Sequence, residues 1–215
     1  DIFVEHPFRN SWYGKVNYTW SRSSGNMEGQ TRSDTGQTDI AVSAAWDFPE
    51  FTAYTNGLLP NDRTHQFKAY GFYEINPEWN VGANLLIQSG RPKACLGTNV
   101  AAENGELNRL GHDYGGPGYG NEYFWCNGKP SPRGTLGRMP TEKRLDISIA
   151  YKPLMLQGMS FKFDIFNVAN AQEATARQER YDTGGGDDVS SVFGQGRTFQ
   201  TPRTMKFSVE YHKKF

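Results

Sequence analysis

The sequence predicts an all-β chain, the wall of an antiparallel transmembrane β-barrel, on three observations. Apolar and polar residues alternate with a period of two in six separate segments. Short and long connections alternate between those segments. The composition suits strands and turns: 14% of the 215 residues are aromatic and 24 are glycine, while the apolar fraction is only 36%. Nearly half is usual for a soluble globular domain, and disordered chains lack this many aromatics. The 23 basic and 23 acidic residues balance, which argues against a partner built of nucleic-acid phosphates.

Each segment has one apolar and one mixed face. Trp12, Gly14, Val16, Tyr18 and Trp20 oppose Tyr13, Lys15, Asn17 and Thr19. Phe67, Ala69, Gly71 and Tyr73 oppose Gln66, Lys68, Tyr70, Phe72 and Glu74. Val81, Ala83, Leu85 and Ile87 form a third face, and Leu145, Ile147, Ile149 and Tyr151 a fourth. Phe161, Phe163 and Ile165 start a fifth whose phase breaks at Phe166-Asn167, as at a bulge or where a strand leaves the apolar zone. Met205, Phe207, Val209, Tyr211 and Phe215 make the last. No window of 18 apolar residues occurs, but a barrel strand shows lipid only every second side chain.

Alternation alone also describes a soluble sandwich, and the connections decide against it. Asn76 to Asn80 and Leu154 to Gly158 are tight turns, whereas 23–65, 93–142 and 173–201 are long and polar. Compact soluble domains seldom carry loops beyond about a dozen residues, while outer-membrane barrels pair short turns with long extracellular loops. Trp12 and Trp20 lie about 26 Å apart along an extended strand. A tilt of about 40° reduces that to roughly 20 Å of height, close to an apolar band between two aromatic girdles. Tyr151, Tyr211 and Phe215 would belong to the girdle near the short turns. Six strands cannot close a barrel with a lumen, and open edges are untenable in lipid, so a piece of a larger barrel is expected.

Cys95 and Cys126 lie in one long loop, where a disulfide would indicate an oxidising compartment; two free thiols are the alternative. Between them stand Asp113, Tyr114, Tyr119, Tyr123, Phe124 and Trp125 among glycines, an amphipathic stacking surface suited to sugars, aromatic siderophores or peptides. The bland alternative is that these rings pack the loop onto its neighbours. The Asp62-Arg63-Thr64-His65 cluster has no partner nucleophile at a recognisable spacing and reads as a structural ion pair at a loop-to-strand junction. Scattered histidines without H-x-x-x-H spacing give no transition-metal site, and Gly184 to Asp188 lacks the spaced acids of a calcium loop. Lys15, Lys68, Glu74, Lys162, Asp164, Lys206 and Glu210 share the wet face, where mutual pairing or contact with a plug is expected. The residues give no catalytic role and no cofactor.

Several motifs resemble TonB-dependent outer-membrane receptors, the Oar-like group in particular. They are Leu59 to His65 running into a strand, Ser89-Gly90-Arg91-Pro92, and Pro132 to Pro140 leading to Leu145-Asp146. Phe166-Asn167-Val168-Ala169-Asn170 and the Pro202-Arg203 strand ending in Phe215 resemble the family's last two strands. The apolar residue usual two before the final aromatic is Lys213 here.

The resemblance implies that residues 1–215 are the C-terminal part of a barrel of about 22 strands with an N-terminal plug upstream. It implies a Gram-negative outer membrane, long loops facing outside, and lipid, earlier strands and plug as partners. TonB would act through the plug on uptake of a large or scarce ligand: a siderophore, glycan or peptide. The rivals are a plugless porin or adhesin barrel and a soluble carbohydrate-binding β-sandwich.

Overall fold

A computed structural model describes residues 1–37, 49–99, 121–184 and 188–212. Seven strands form one sheet: β1 Ile2–Arg9, β2 Trp12–Trp20, β3 His65–Glu74, β4 Trp79–Gln88, β5 Glu142–Tyr151, β6 Met159–Phe166 and β7 Thr204–Tyr211. Each pairs antiparallel with the next in chain order, an unbroken meander.

The register keeps all the alternating faces in phase. One row runs His6, Gly14, Gly71, Ala83, Ile147, Ile165, Met205 across all seven strands. One residue along, the row Tyr13, Phe72, Gly82, Ser148, Asp164, Lys206 points the other way. Because the side-chain period is two, a slip of one residue at any pair would break this separation. On the polar face Lys15 pairs with Glu5, and Lys162 with Asp164, as the alternation leads one to expect.

The sheet has one strand more than the six that alternation reveals. In β1 the pattern is hidden by Pro7, which has no N–H to give a ladder, and the register shifts between His6 and Arg9. Beyond that irregularity the Phe8 ring stacks on Phe72, on the polar side of the sheet. The β1–β2 turn is Asn10-Ser11, with φ of 52° and 66°. Two positive φ values make the two-residue turn whose twist matches the strands it joins.

All three short turns leave one end of the sheet, and three long connections (21–64, 89–141 and 167–203) leave the other. Around the short-turn end the apolar face carries Trp12, Tyr73, Trp79, Tyr151 and Tyr211, with Trp79 and Tyr151 stacked at 4.4 Å. That band contains the expected Tyr151 and Tyr211; Phe215 lies outside the described residues.

The location of the dry core separates this sheet from a sandwich. Among the described residues the buried apolar side chains are Phe51, Leu59, Ala94, Cys95, Leu96, Tyr123, Phe124 and Met139, all in the long connections. The apolar face of the sheet stays open: Phe207 is 65% exposed and Val209 50%. A soluble sandwich would bury that face against a second sheet.

Gly90 fixes the junction between sheet and connections. A Cβ there would stand 2.0 Å from the Met139 carbonyl oxygen and 2.5 Å from that of Pro140. Gly90→Ala should therefore push the second connection off the top of β4. The expected loss is about 1–3 kcal/mol in denaturant unfolding, and an unchanged midpoint would show that the two backbones can part freely.

Candidate functional site: the cap built by the long connections

The three long connections fold onto one another as a cap held mainly by arginines and buried carboxylates. Its base is the Asp62 carboxylate, which is 1% exposed. It accepts hydrogen bonds from the Ser23 amide at 2.6 Å, the Thr64 hydroxyl at 2.9 Å and the Arg138 guanidinium. One side chain thus joins the exit of β2, the entry of β3 and the descending arm of the second connection. Burial pushes its pKa up, but those three donors outweigh it and hold the carboxylate below its ordinary range. Neighbouring Arg63 pairs with Glu142 at the entry of β5. The cluster is the structural joint expected from the sequence.

The second joint is centred on Phe124, which is 2% exposed. Arg133 lies over its ring at 4.4 Å and Arg32 at 5.7 Å. Both guanidiniums share the buried Asp34, at 3.2 and 2.9 Å. Arg32 also donates to the Glu122 carbonyl at 2.7 Å, and the Glu122 carboxylate pairs with Arg180 of the third connection. Planar guanidiniums suit this use, stacking on a ring with one face while their edges donate.

The third joint is Glu179, whose side chain is fully shielded. It accepts from Arg91 at 2.6 Å and from the Ala94 amide at 2.9 Å. Arg91 also donates to the Ser33 carbonyl at 3.3 Å, so all three connections meet around it. Backbone bonds from Leu96 to the Glu179 carbonyl and from Tyr181 to the Leu96 carbonyl extend the contact. Burial pushes the Glu179 pKa up to about 7, against the pull of Arg91 and the Ala94 amide.

The exit of β6 is tied by the Phe166-Asn167-Val168-Ala169-Asn170 motif. Asn167 is 1% exposed with φ of 52°, and its amide N–H donates to Asp146 of β5 at 2.9 Å. Its side-chain amide donates to the Ala171 and Thr201 carbonyls at 2.9 and 2.8 Å. Asn170, also at φ of 52°, accepts the Arg203 amide. Asparagine tolerates this left-handed backbone and supplies both donor and acceptor. The phase break at Phe166-Asn167 is therefore the end of the strand, locked by two asparagines.

Cys95 and Cys126 are disulfide-bonded, with a Cα–Cα distance of 5.5 Å. Of the aromatic loop residues, Tyr123 is 4% exposed and stacks on Phe51 at 4.4 Å, so its ring packs the cap. Trp125 is half-buried and meets Tyr54 edge to face at 6.1 Å; Tyr54 is 45% exposed. Trp125 Nε1 is shielded and has no hydrogen-bond partner among the described residues. Asp113, Tyr114 and Tyr119 lie outside the described residues, as do the middle residues of the Gly184–Asp188 stretch. The sequence reading missed Arg32, Asp34 and Glu179, and it placed Arg91 and Arg133 in motifs without their partners, because these groups meet from connections far apart in the chain. A density of arginine and acid in loops otherwise rich in glycine was the available signal.

An antiparallel meander with an open apolar face, short turns at one end and an interlocked cap at the other defines a class: the wall of a transmembrane β-barrel. No family model matches the sequence. The chain is 30% identical over 186 residues to the TonB-dependent transporter Oar of Myxococcus xanthus, which covers 84% of this chain and 16% of that protein. By fold it is similar to the ferric-catecholate import receptor Fiu of E. coli K12 in its closed form. That match has a TM-score of 0.51 and 11% identity over 98% of this chain and 20% of the receptor. The siderophore receptor PiuA of Acinetobacter baumannii aligns with a TM-score of 0.49 and 14% identity, over 96% of this chain and 20% of that receptor. The chain thus spans about a fifth or less of the proteins it matches. By sequence the chain is similar to a TonB-dependent transporter, and by fold to a stretch of receptor β-barrel wall.

Two predictions concern the cap. An ordinary glutamate loses its proton near 4.5, whereas Glu179 in the closed cap holds it to about 7. The closed cap therefore binds that proton more tightly than an open one. Its extra stability is complete below 4.5 and is lost as pH rises through 7. Amide exchange at Ala94 and Leu96, corrected for intrinsic rate, should speed up across that window and lose most of its pH dependence in Glu179→Gln. Separately, Cys126→Ser should destabilise the second connection by about 2–4 kcal/mol. Limited proteolysis would show cleavage between residues 95 and 126 while the sheet stays intact; equal resistance with and without the bond would contradict this.

Proposed function

We propose that residues 1–215 are the C-terminal part of the barrel domain of a Gram-negative outer-membrane receptor that takes up a large or scarce ligand with energy delivered through TonB. The observation that carries the reading is the register-locked separation of an apolar from a polar face over seven strands. A chain similar to a TonB-dependent transporter supplies the direction of the inference. Under this reading the apolar face meets lipid and the polar face meets a lumen holding the plug. Earlier strands close the barrel, TonB acts through the plug, and the cap faces the exterior.

The names of the similar proteins point to transport rather than catalysis. A siderophore, a glycan or a peptide fits the reading, and the Cys95–Cys126 loop is where we place its first contact. Asp113, Tyr114, Tyr119 and Trp125 are the proposed contacts, with Tyr123 as the ring that anchors their platform. Support comes from Trp125, whose shielded indole N–H has no partner among the described residues and whose ring meets the exposed Tyr54 ring.

A pair of adjacent substitutions tests the membrane reading. Ile147→Arg puts a charge on the apolar face and should cost about 2–4 kcal/mol, as for a lipid-facing site near the bilayer midplane. Ser148→Arg, on the opposite face beside Asp164, should cost under half as much. Folding of the whole receptor in bilayers, followed by heat-modifiable gel mobility, gives both values. Equal costs, or a larger one at Ser148, would refute the assignment of faces. TonB dependence is tested by accumulation of a radiolabelled ferric siderophore, maltooligosaccharide or peptide mixture in cells with and without a proton uncoupler. Uptake that persists undiminished with the uncoupler would point to a passive porin.

A further inference from the structure

The turn from Lys152 to Gly158, between β5 and β6, exposes three successive large apolar side chains. Leu154 is 67% exposed, Met155 94% and Leu156 48%. Connections of this kind are normally polar, and a run of exposed apolar residues calls for a partner.

The turn is built, and its backbone is held from several sides. The Lys152 amide donates to the Glu78 carbonyl at 2.7 Å, and the Leu154 amide to the Glu78 carboxylate at 2.8 Å. Leu156 donates back to Pro153 at 3.1 Å, and Met159 to Leu156 at 2.9 Å. Gly158, at φ of 85°, accepts the His212 amide at 2.8 Å; a Cβ there would stand 2.3 Å from the His212 carbonyl oxygen. The neighbouring turn and the end of β7 therefore hold the apolar tip where it stands. A cleft of about 1030 Å³ beside it is lined by Leu154, Met159 and Tyr211 and also by Lys152, Ser160 and Glu210.

The position of the tip indicates its partner. The turn springs directly from Tyr151, which stacks with Trp79 in the aromatic band of the apolar face, and it lies beside Tyr211 in the same band. It prolongs the apolar face past the girdle. Lys152, exposed and two residues before Leu154, supplies the cation of this turn, while the Glu78 carboxylate accepts the Leu154 amide.

We infer that Leu154, Met155 and Leu156 form an interfacial anchor that inserts into the headgroup–acyl boundary of the phospholipid leaflet at the short-turn end. Apolar side chains enter the boundary while Lys152 meets lipid phosphate, the arrangement used by interfacial segments. The inference rests on the membrane reading above and adds that this turn lies in the bilayer surface.

The test uses the whole receptor in phospholipid bilayers, labelled with an environment-sensitive fluorophore at M155C or at F207C. Residue 207 sits on the apolar face of β7, where its ring meets Phe161 at 6.4 Å, and both side chains are mostly exposed. Lipids brominated near the headgroup should quench the label at 155 about twofold, while mid-chain bromines quench it less, as expected for a group at the boundary. The label at 207 should follow the mid-chain bromines. Quenching at 207 without quenching at 155 overturns the anchor and leaves the membrane wall standing. Blue-shifted emission at 155 without bromine quenching means that protein covers the turn, and this also overturns it. No quenching at either position removes the wall reading itself.

Discussion

Carboxylates held away from water by arginine fix where the three long connections can lie. Asp62, Asp34 and Glu179 are each shielded, and each is met by at least one guanidinium from a different connection. Removing the partner of Asp62 or Asp34 strands a charge in a dry site, at a cost of about 3–5 kcal/mol. The connections therefore cannot open one at a time without leaving a charge unpaired, and they behave as a unit. Phe124, Leu96 and Ala94 give this assembly a small apolar centre, but directional charge pairing decides its geometry.

The sheet works by a different principle. Its strands have almost no dry core, and the ladder between successive neighbours supplies the order. Backbone bonds make the wall, and side chains divide it into two surfaces. The cap is close to the reverse, since side chains make most of it and backbone bonds join it at a few places. The joints between the two regimes are compact: Asp62 below the first connection, Gly90 against Met139 below the second, and Asn167 below the third. These positions fall inside the motifs that resemble TonB-dependent receptors. Those motifs are junction hardware, which accounts for their spacing along the chain.

Much of the wall was legible in the sequence because period-two alternation is local. Six strands could be read from successive residues, and the in-phase faces required only that neighbours pair in order. β1 escaped because Pro7 and the shift beside it break the period, although Asn10 at the turn was a usable cue. The cap was only partly legible. Pairing of Cys95 with Cys126 follows from their sharing one loop, and the Asp62 cluster lies within four residues. Arg91 meeting Glu179, or Arg133 meeting Asp34, spans 88 and 99 positions, and no local pattern encodes such a meeting. Tyr123 shows the same limit, since an aromatic residue in a glycine-rich loop looks alike whether it faces ligand or stacks on Phe51.

The disulfide has a consequence for the order of events as the chain acquires its shape. Its two cysteines are 31 positions apart within one connection, with no wall strand between them among the described residues. The ring can therefore close in an oxidising compartment while the flanking strands are still unpaired. Whatever machinery then zips the strands together must pass a covalently closed lariat rather than a slack thread. In a chain whose thiols stay reduced, the second connection enters as an open loop and is held by the remaining contacts of the cap.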